Sequence, residues 1–155
     1  MKKELTNIEN FLSEMLEKLK LSGLYVFNAS NGFVLSSVLN SSEIEAVGTL
    51  SSGCVSALEQ LFQHFSGGEI NYQIIRTDKE IFVFMPLGNS YFLAANGSEN
   101  LRPGYLLMEM ESYVDELSAV VDEFVKDSDA GMTGMDVDDI SRQLDEEFDK
   151  LICED

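Results

Sequence analysis

"EINYQIIRTDKEIFVFMPLGNSYFLAANG", residues 69–97, decides the fold. It divides into three strand candidates, EINYQIIRT (69–77), EIFVFMPLG (80–88) and SYFLAANG (90–97), with Asp78-Lys79 and Gly88-Asn89 as turn material between them. The middle strand is the informative one. Ile81-Phe82-Val83-Phe84-Met85 does not alternate with polar residues, and a strand that is apolar on both sides belongs in the middle of a sheet covered on both faces. The rest of the chain therefore has to supply helices for two layers.

Working outward, it does. Leu5, Ile8, Leu12, Met15 and Leu19 recur at three- and four-residue steps and mark a first helix that Gly23 is expected to stop. LYVF (24–27) and FVLSSV (33–38) flank Asn28-Ala29-Ser30-Asn31-Gly32, whose Asn-Gly pair suits the positive φ of a hairpin turn. Ser42 with Glu45 three residues later has the form of a capping box for a long middle helix. That helix is expected to turn Val47, Leu50, Cys54, Leu58, Leu61 and Phe65 inward and to end at Ser66-Gly67-Gly68. After the three strands, Pro103 opens a last body helix with Leu106, Met110, Tyr113, Leu117, Val120 and Phe124 on one stripe. The order α-β-β-α-β-β-β-α defines an α+β domain, a five-stranded antiparallel sheet between helices, over residues 1–126. Residues 127–135, with two glycines and no periodicity, read as a linker. Residues 136–153 read as an acidic amphipathic C-terminal helix with Val137, Ile140, Leu144, Phe148 and Leu151 on its dry side.

The charge agrees with a body and a tail. Of the total of −18, residues 127–155 carry −9, eleven acids against Arg142 and Lys150. So acidic a chain repels phosphates, which argues against nucleic-acid and anionic-membrane partners. No run approaches the roughly 18 apolar residues of a membrane span, and the charged start MKKELTNIENFLSEMLEKLK lacks the apolar core of a secretory signal. The two cysteines, Cys54 and Cys153, fit neither a zinc site nor a disulfide framework. The chain reads as cytoplasmic.

Chemistry of its own is hard to find in it. Starting at Asp136, a calcium loop of the EF-hand kind would use Asp136, Asp138 and Glu147, but it would need Ile140 as a ligand and has Ser141 where the turn needs glycine. The solvated side of a helix explains those acids better. His64, the single histidine, falls near the end of the middle helix, where its charge is welcome, and has no second ligand nearby in sequence. Phosphate-binding glycine loops and a nucleophile elbow are absent from the sequence. The expectation is a non-enzymatic protein without metal or cofactor, so partner surfaces matter most. On the middle helix, Gly48, Ser52, Val55, Glu59 and Phe62 lie on a flank beside the expected inner stripe. That flank is either a widened core face or a seam for a second helix. In the strand 69–77, Asn71, Gln73 and Ile75 mark an edge that a second copy could extend. The tail residues Val137, Ile140, Leu144, Phe148 and Leu151 need cover from the body, a second copy or a partner.

The pattern resembles the roadblock/dynein light chain family. The resemblance rests on Gly23-Leu24-Tyr25-Val26-Phe27-Asn28 and Asn31-Gly32-Phe33-Val34-Leu35-Ser36 as an opening hairpin, on Gly67-Gly68-Glu69 entering a strand, on Met85-Pro86-Leu87-Gly88 ending one, and on Leu101 with the helix from Pro103. It covers about residues 5–125, and the added C-terminal helix is similar to that of the family's MglB-type members. It implies a homodimer or heterodimer in which middle helices pack side by side and sheets join through strand 69–77, and the homodimer is the expectation here. It also implies a partner class, Ras-like small GTPases or motor and scaffold complexes. The reading preferred is a regulator or scaffold that binds a Ras-like small GTPase and modulates its GTP hydrolysis or exchange. Of Arg76, Arg102 and Arg142, none is expected to act as a finger supplied to the GTPase. The rival from another class is an acidic dimeric secretion-type chaperone, which usually places three strands before the middle helix and two after, whereas this chain reads two and then three.

Overall fold

The computed structural model describes residues 2–39 and 42–133. Helix α1 (Lys2–Leu19) leads to the hairpin β1 (Gly23–Asn28) and β2 (Val34–Val38). Helix α2 (Ile44–Gln63) follows, then β3 (Gln73–Arg76), β4 (Glu80–Gly88) and β5 (Tyr91–Ser98), and finally α3 (Pro103–Thr133). The five strands form one antiparallel sheet in the order β2-β1-β5-β4-β3. The strands β5 and β4 are interior, as the unbroken apolar run of β4 requires, and β2 and β3 form the two edges.

Alternation along each strand feeds two cores. Leu24 and Val26 of β1, Ile81, Val83 and Met85 of β4, and Leu93 and Ala95 of β5 pack with Ile8, Leu12 and Met15 of α1 and Leu106, Met110 and Leu117 of α3. Tyr25 and Phe27, Phe84, Phe92 and Ala94 face the other way and pack with Val55 of α2. Among the described residues, two helices thus cover one face of the sheet and one covers the other.

Several local expectations are corrected. Helix α1 ends at Leu19 with Lys20 in the left-handed region (φ 55°), and the Leu21 N–H donates to the Leu16 carbonyl at 3.0 Å. Gly23 instead begins β1, where a β-carbon would collide with Leu39 and Asn96. No capping box forms: the N-cap of α2 is Glu43, with no side-chain cap hydrogen bond. At the far end the expected stop holds, with Gly67 at φ 74° and its N–H donating to the Phe62 carbonyl at 3.1 Å. The third strand is shorter than expected, only four residues of 69–77. Helix α3 continues through residues 127–133, the stretch read as linker. The tail residues Val137, Ile140, Leu144, Phe148 and Leu151, the acids Asp136, Asp138 and Glu147, and Arg142 and Cys153 lie outside the described residues.

Candidate interaction surface

The middle helix is rotated relative to its expected orientation, and that rotation defines the site. Its buried residues are Gly48, Ser51, Ser52 and Val55. The stripe expected inside is largely outside: Leu50 is 70% exposed, Leu61 48% and Phe65 73%, and Cys54 is a free, exposed thiol. Only Val47 and Leu58 of that stripe are partly covered.

The local reason is how closely α2 approaches the first hairpin. The β1–β2 turn is held by Asn28, whose Oδ1 accepts from the Ser30 N–H at 2.8 Å, and by Asn31, whose Oδ1 accepts from the Phe33 N–H at 2.9 Å. Gly32, at φ 77°, completes the turn and lies directly against Gly48 and Thr49. A β-carbon on Gly48 would run into the Gly32 carbonyl oxygen. One turn further along, Ser52 Oγ donates to the Ala29 carbonyl at 2.5 Å, and Ser51 Oγ shares a 2.6 Å hydrogen bond with the Tyr25 hydroxyl. Burial lifts the Tyr25 phenol above its ordinary range, and the Ser51 bond offsets part of that. Small residues let the helix settle onto a bed of large aromatics, with Phe27 stacked on Phe92 (centroids 5.9 Å apart) and edge-on to Phe84 (5.9 Å).

Of the residues expected to form a seam, Gly48, Ser52 and Val55 therefore face the protein's own sheet; the widened-core alternative describes them. Glu59 and Phe62 are exposed, Phe62 at 40%. The open face of α2 is instead Ala46, Leu50, Gly53, Cys54, Ala57 and Leu61, all exposed and none charged. Sequence reasoning missed Leu50 and Leu61 as surface residues because it took the most hydrophobic stripe for the core. The usable signal was volume: Gly48, Ser51 and Ser52 recur at helical spacing opposite Tyr25 and Phe27 in the facing strand.

This apolar face runs toward a sheet edge. Phe62 and Tyr72 line one shallow cavity with residues 67–71, and Tyr72 and Ile75 are both exposed. Among the described residues β3 pairs only with β4, from Gln73↔Phe84 to Arg76↔Ile81, which leaves its outer backbone edge open. Asn71 is exposed and precedes β3, and Gln73 and Ile75 lie within it. The Gln73 side-chain amide is buried, and among the described residues neither its nitrogen nor its oxygen has a hydrogen-bond partner. An unmade bond at a buried amide costs stability, of order 1–3 kcal/mol, unless something outside the chain completes it.

Other candidates are less productive. His64 is the C-cap of α2 and exposed, and its backbone N–H donates to the Leu61 carbonyl at 3.1 Å. Arg76 donates to the Glu99 carbonyl at 2.6 Å and so is tied down, while Arg102 is exposed just before α3. Among the described residues, no cluster of three or more His, Cys, Asp or Glu side chains could hold a metal ion, and no helix is long and apolar enough to cross a membrane.

A five-stranded antiparallel sheet with two helices on one face and one on the other, in the order α-β-β-α-β-β-β-α, is the architecture of a known group of proteins. The Roadblock/LC7 domain model matches residues 7–96, so the chain belongs to the roadblock/LC7 family. Its structure is similar to that of Myxococcus xanthus MglB, with a TM-score of 0.71 at 16% identity over 77% of this chain and 90% of that one. It is also similar to the gliding protein MglB of Thermus thermophilus, with a TM-score of 0.69 at 14% identity over 77% and 92%. An MglB solved in a tetrameric arrangement matches with a TM-score of 0.70 at 14% identity over 77% and 91%. Among curated proteins none matches this chain.

Proposed function

We propose that the protein is a dimeric, non-enzymatic regulator or scaffold of the cytoplasm that binds a Ras-like small GTPase and modulates its GTP hydrolysis or exchange. The observation that carries this reading is the open face of α2: an uncharged, apolar helix surface leading to an unpaired strand edge. A second copy would cover Leu50, Cys54, Ala57 and Leu61 with its own α2 and extend the sheet at Gln73 and Ile75. Exposed contiguous apolar surface of this kind marks an interface, and an open edge is a template for pairing. The family supports the GTPase as partner class, and the MglB relative found as a tetramer supports self-association. The tail segment 136–153 is proposed as a second docking element through Val137, Ile140, Leu144, Phe148 and Leu151. The strand order, two before α2 and three after, runs opposite to that of the secretion-chaperone rival.

Light scattering after size exclusion, on the protein alone and mixed with small GTPases loaded with GDP or GTP, tests both halves of the proposal. A dimer mass that Leu50→Glu with Leu61→Glu reduces to a monomer, without loss of helical signal, is the expected outcome. A monomeric wild type that ignores every GTPase in both nucleotide states overturns the reading. Cys54 sits near the midpoint of α2, so an antiparallel pair of these helices would bring two copies of it close together. In a Cys153→Ser background, mild oxidation is expected to yield a covalent dimer through Cys54.

A further inference from the structure

The β3–β4 ladder stops early, and its interruption opens a groove. Pairing runs from Arg76↔Ile81 to Gln73↔Phe84 and goes no further, although β4 itself continues to Gly88. Pro86 supplies the reason. It has no N–H to donate, and the β4–β5 register shifts between Pro86 and Gly88. Residues 69–72 therefore leave the sheet without a ladder partner. Between them, the C-terminal part of α2 and the ends of β4 and β5 lies a cavity of about 370 Å³.

Its lining combines two chemistries. Ile70, Pro86 and Phe92 supply apolar surface, and Tyr91 supplies an aromatic ring. Glu59 from α2 and Glu69 from the departing segment supply two carboxylates beside the neutral Gln63, Asn71 and Ser90, and among the described residues no Lys, Arg or His lines the groove. Among the described residues, neither carboxylate meets a cation. An apolar bed beside acids is complementary to a long side chain with an aliphatic stem and a cationic head. We propose that this groove takes the basic side chain of a partner protein, its stem on Ile70, Pro86 and Phe92 and its charge met by Glu59 and Glu69. The protein's net charge of −18 would draw such a partner in from a distance.

The inference rests on the proposed role as a protein-binding module only in supposing that a protein presents the side chain. It can be tested with no partner present. Full-length isotope-labelled protein is titrated with N-acetyl-arginine N-methylamide at low ionic strength, and backbone amide shifts are followed by NMR. Binding on the order of millimolar, with shifts centred on residues 69–71 and 86–92, is expected for so small a ligand. Glu59→Gln and Glu69→Gln are each expected to weaken it about threefold, and together about tenfold, as befits exposed ion pairs. The neutral citrulline counterpart should bind much more weakly.

Three results would overturn the proposal: shifts elsewhere or none, equal binding of the citrulline compound, or equal binding by the doubly substituted protein. A full-length Arg142→Gln, Lys150→Gln protein that binds the probe at least fivefold tighter would also overturn it, because the chain's own tail would then be the occupant. Loss of GTPase binding in the earlier experiment leaves this result standing, so the two readings fail separately.

Discussion

The two faces of the sheet hold their helices by different means. On one face, α1 and α3 bury long apolar side chains, including Ile8, Leu12, Met15, Leu106, Met110 and Leu117. Their outer sides are mostly acidic, with Glu9, Glu14 and Glu17 on α1 and Glu111, Asp115, Glu116 and Glu123 on α3 all exposed, and Tyr105 and Met108 exposed near the start of α3. On the other face, α2 fully buries one large side chain, Val55, half-buries Val47 and Leu58, and is otherwise attached through a glycine and two hydroxyls. Its outer side carries Leu50 and Leu61. In the proposed dimer this helix would be covered twice, once by its own sheet and once from outside. The first face resembles a finished interior, and the second resembles half of one.

Substitutions can break this contrast. The largest effect is expected on the finished face: Leu117→Ala removes a fully buried side chain and should cost about 2–5 kcal/mol in urea unfolding. Next comes Gly48→Ala, which pushes a methyl group into the Gly32 carbonyl oxygen and should cost about 1–3 kcal/mol as α2 lifts from the hairpin turn. Its control is Gly53→Ala on the same helix, where a β-carbon meets nothing within 4 Å. That change should stabilise the isolated chain by about 0.5–1 kcal/mol, since alanine favours the helix. If Gly48→Ala proves as benign as Gly53→Ala, the close approach that distinguishes the second face is wrong.

The smallest effect is a pH dependence. The folded Tyr25 phenol is raised, whereas in the unfolded chain it ionises near ~10. The folded state therefore holds the proton more tightly, and its contribution is intact below about pH 10 and lost as pH rises beyond that. Unfolding midpoints between pH 8 and 11 should fall less steeply for Tyr25→Phe than for wild type. A parallel fall would remove Tyr25 from the account.

How much of this was legible follows from the same contrast. The first face could be read directly, because long side chains at helical spacing have one destination: Ile8, Leu12, Met15 and Leu19 are all buried as expected. The interior place of β4 was equally plain, since Ile81 to Met85 admitted no solvent-facing side. The second face misled. Hydrophobicity ranks Leu50, Cys54 and Leu61 above Gly48, Ser51 and Ser52, so pattern alone turns the helix the wrong way. Only the volume of Tyr25 and Phe27 in the facing strand argues for small residues, and that pairing is visible only once the register is known. Pro86 could be read as a helix or strand breaker, but not as the cause of a groove, because which strand it would have paired with depends on the sheet order.

The thin attachment of α2 has a consequence for motion. Local opening draws on the least buried apolar contact, and in this fold that is the layer held by Val55, a half-buried Val47 and two serine hydroxyls. In a single copy, the amides of α2 will exchange with solvent well before those of α1 and α3, and the hairpin turn that leans on Gly48 will follow them. Whatever covers Leu50 and Leu61 will slow that exchange without touching a single residue of the layer beneath. In the proposed dimer, occupancy of the outer face would reach the turn of the first hairpin through the close approach of Gly48 to Gly32.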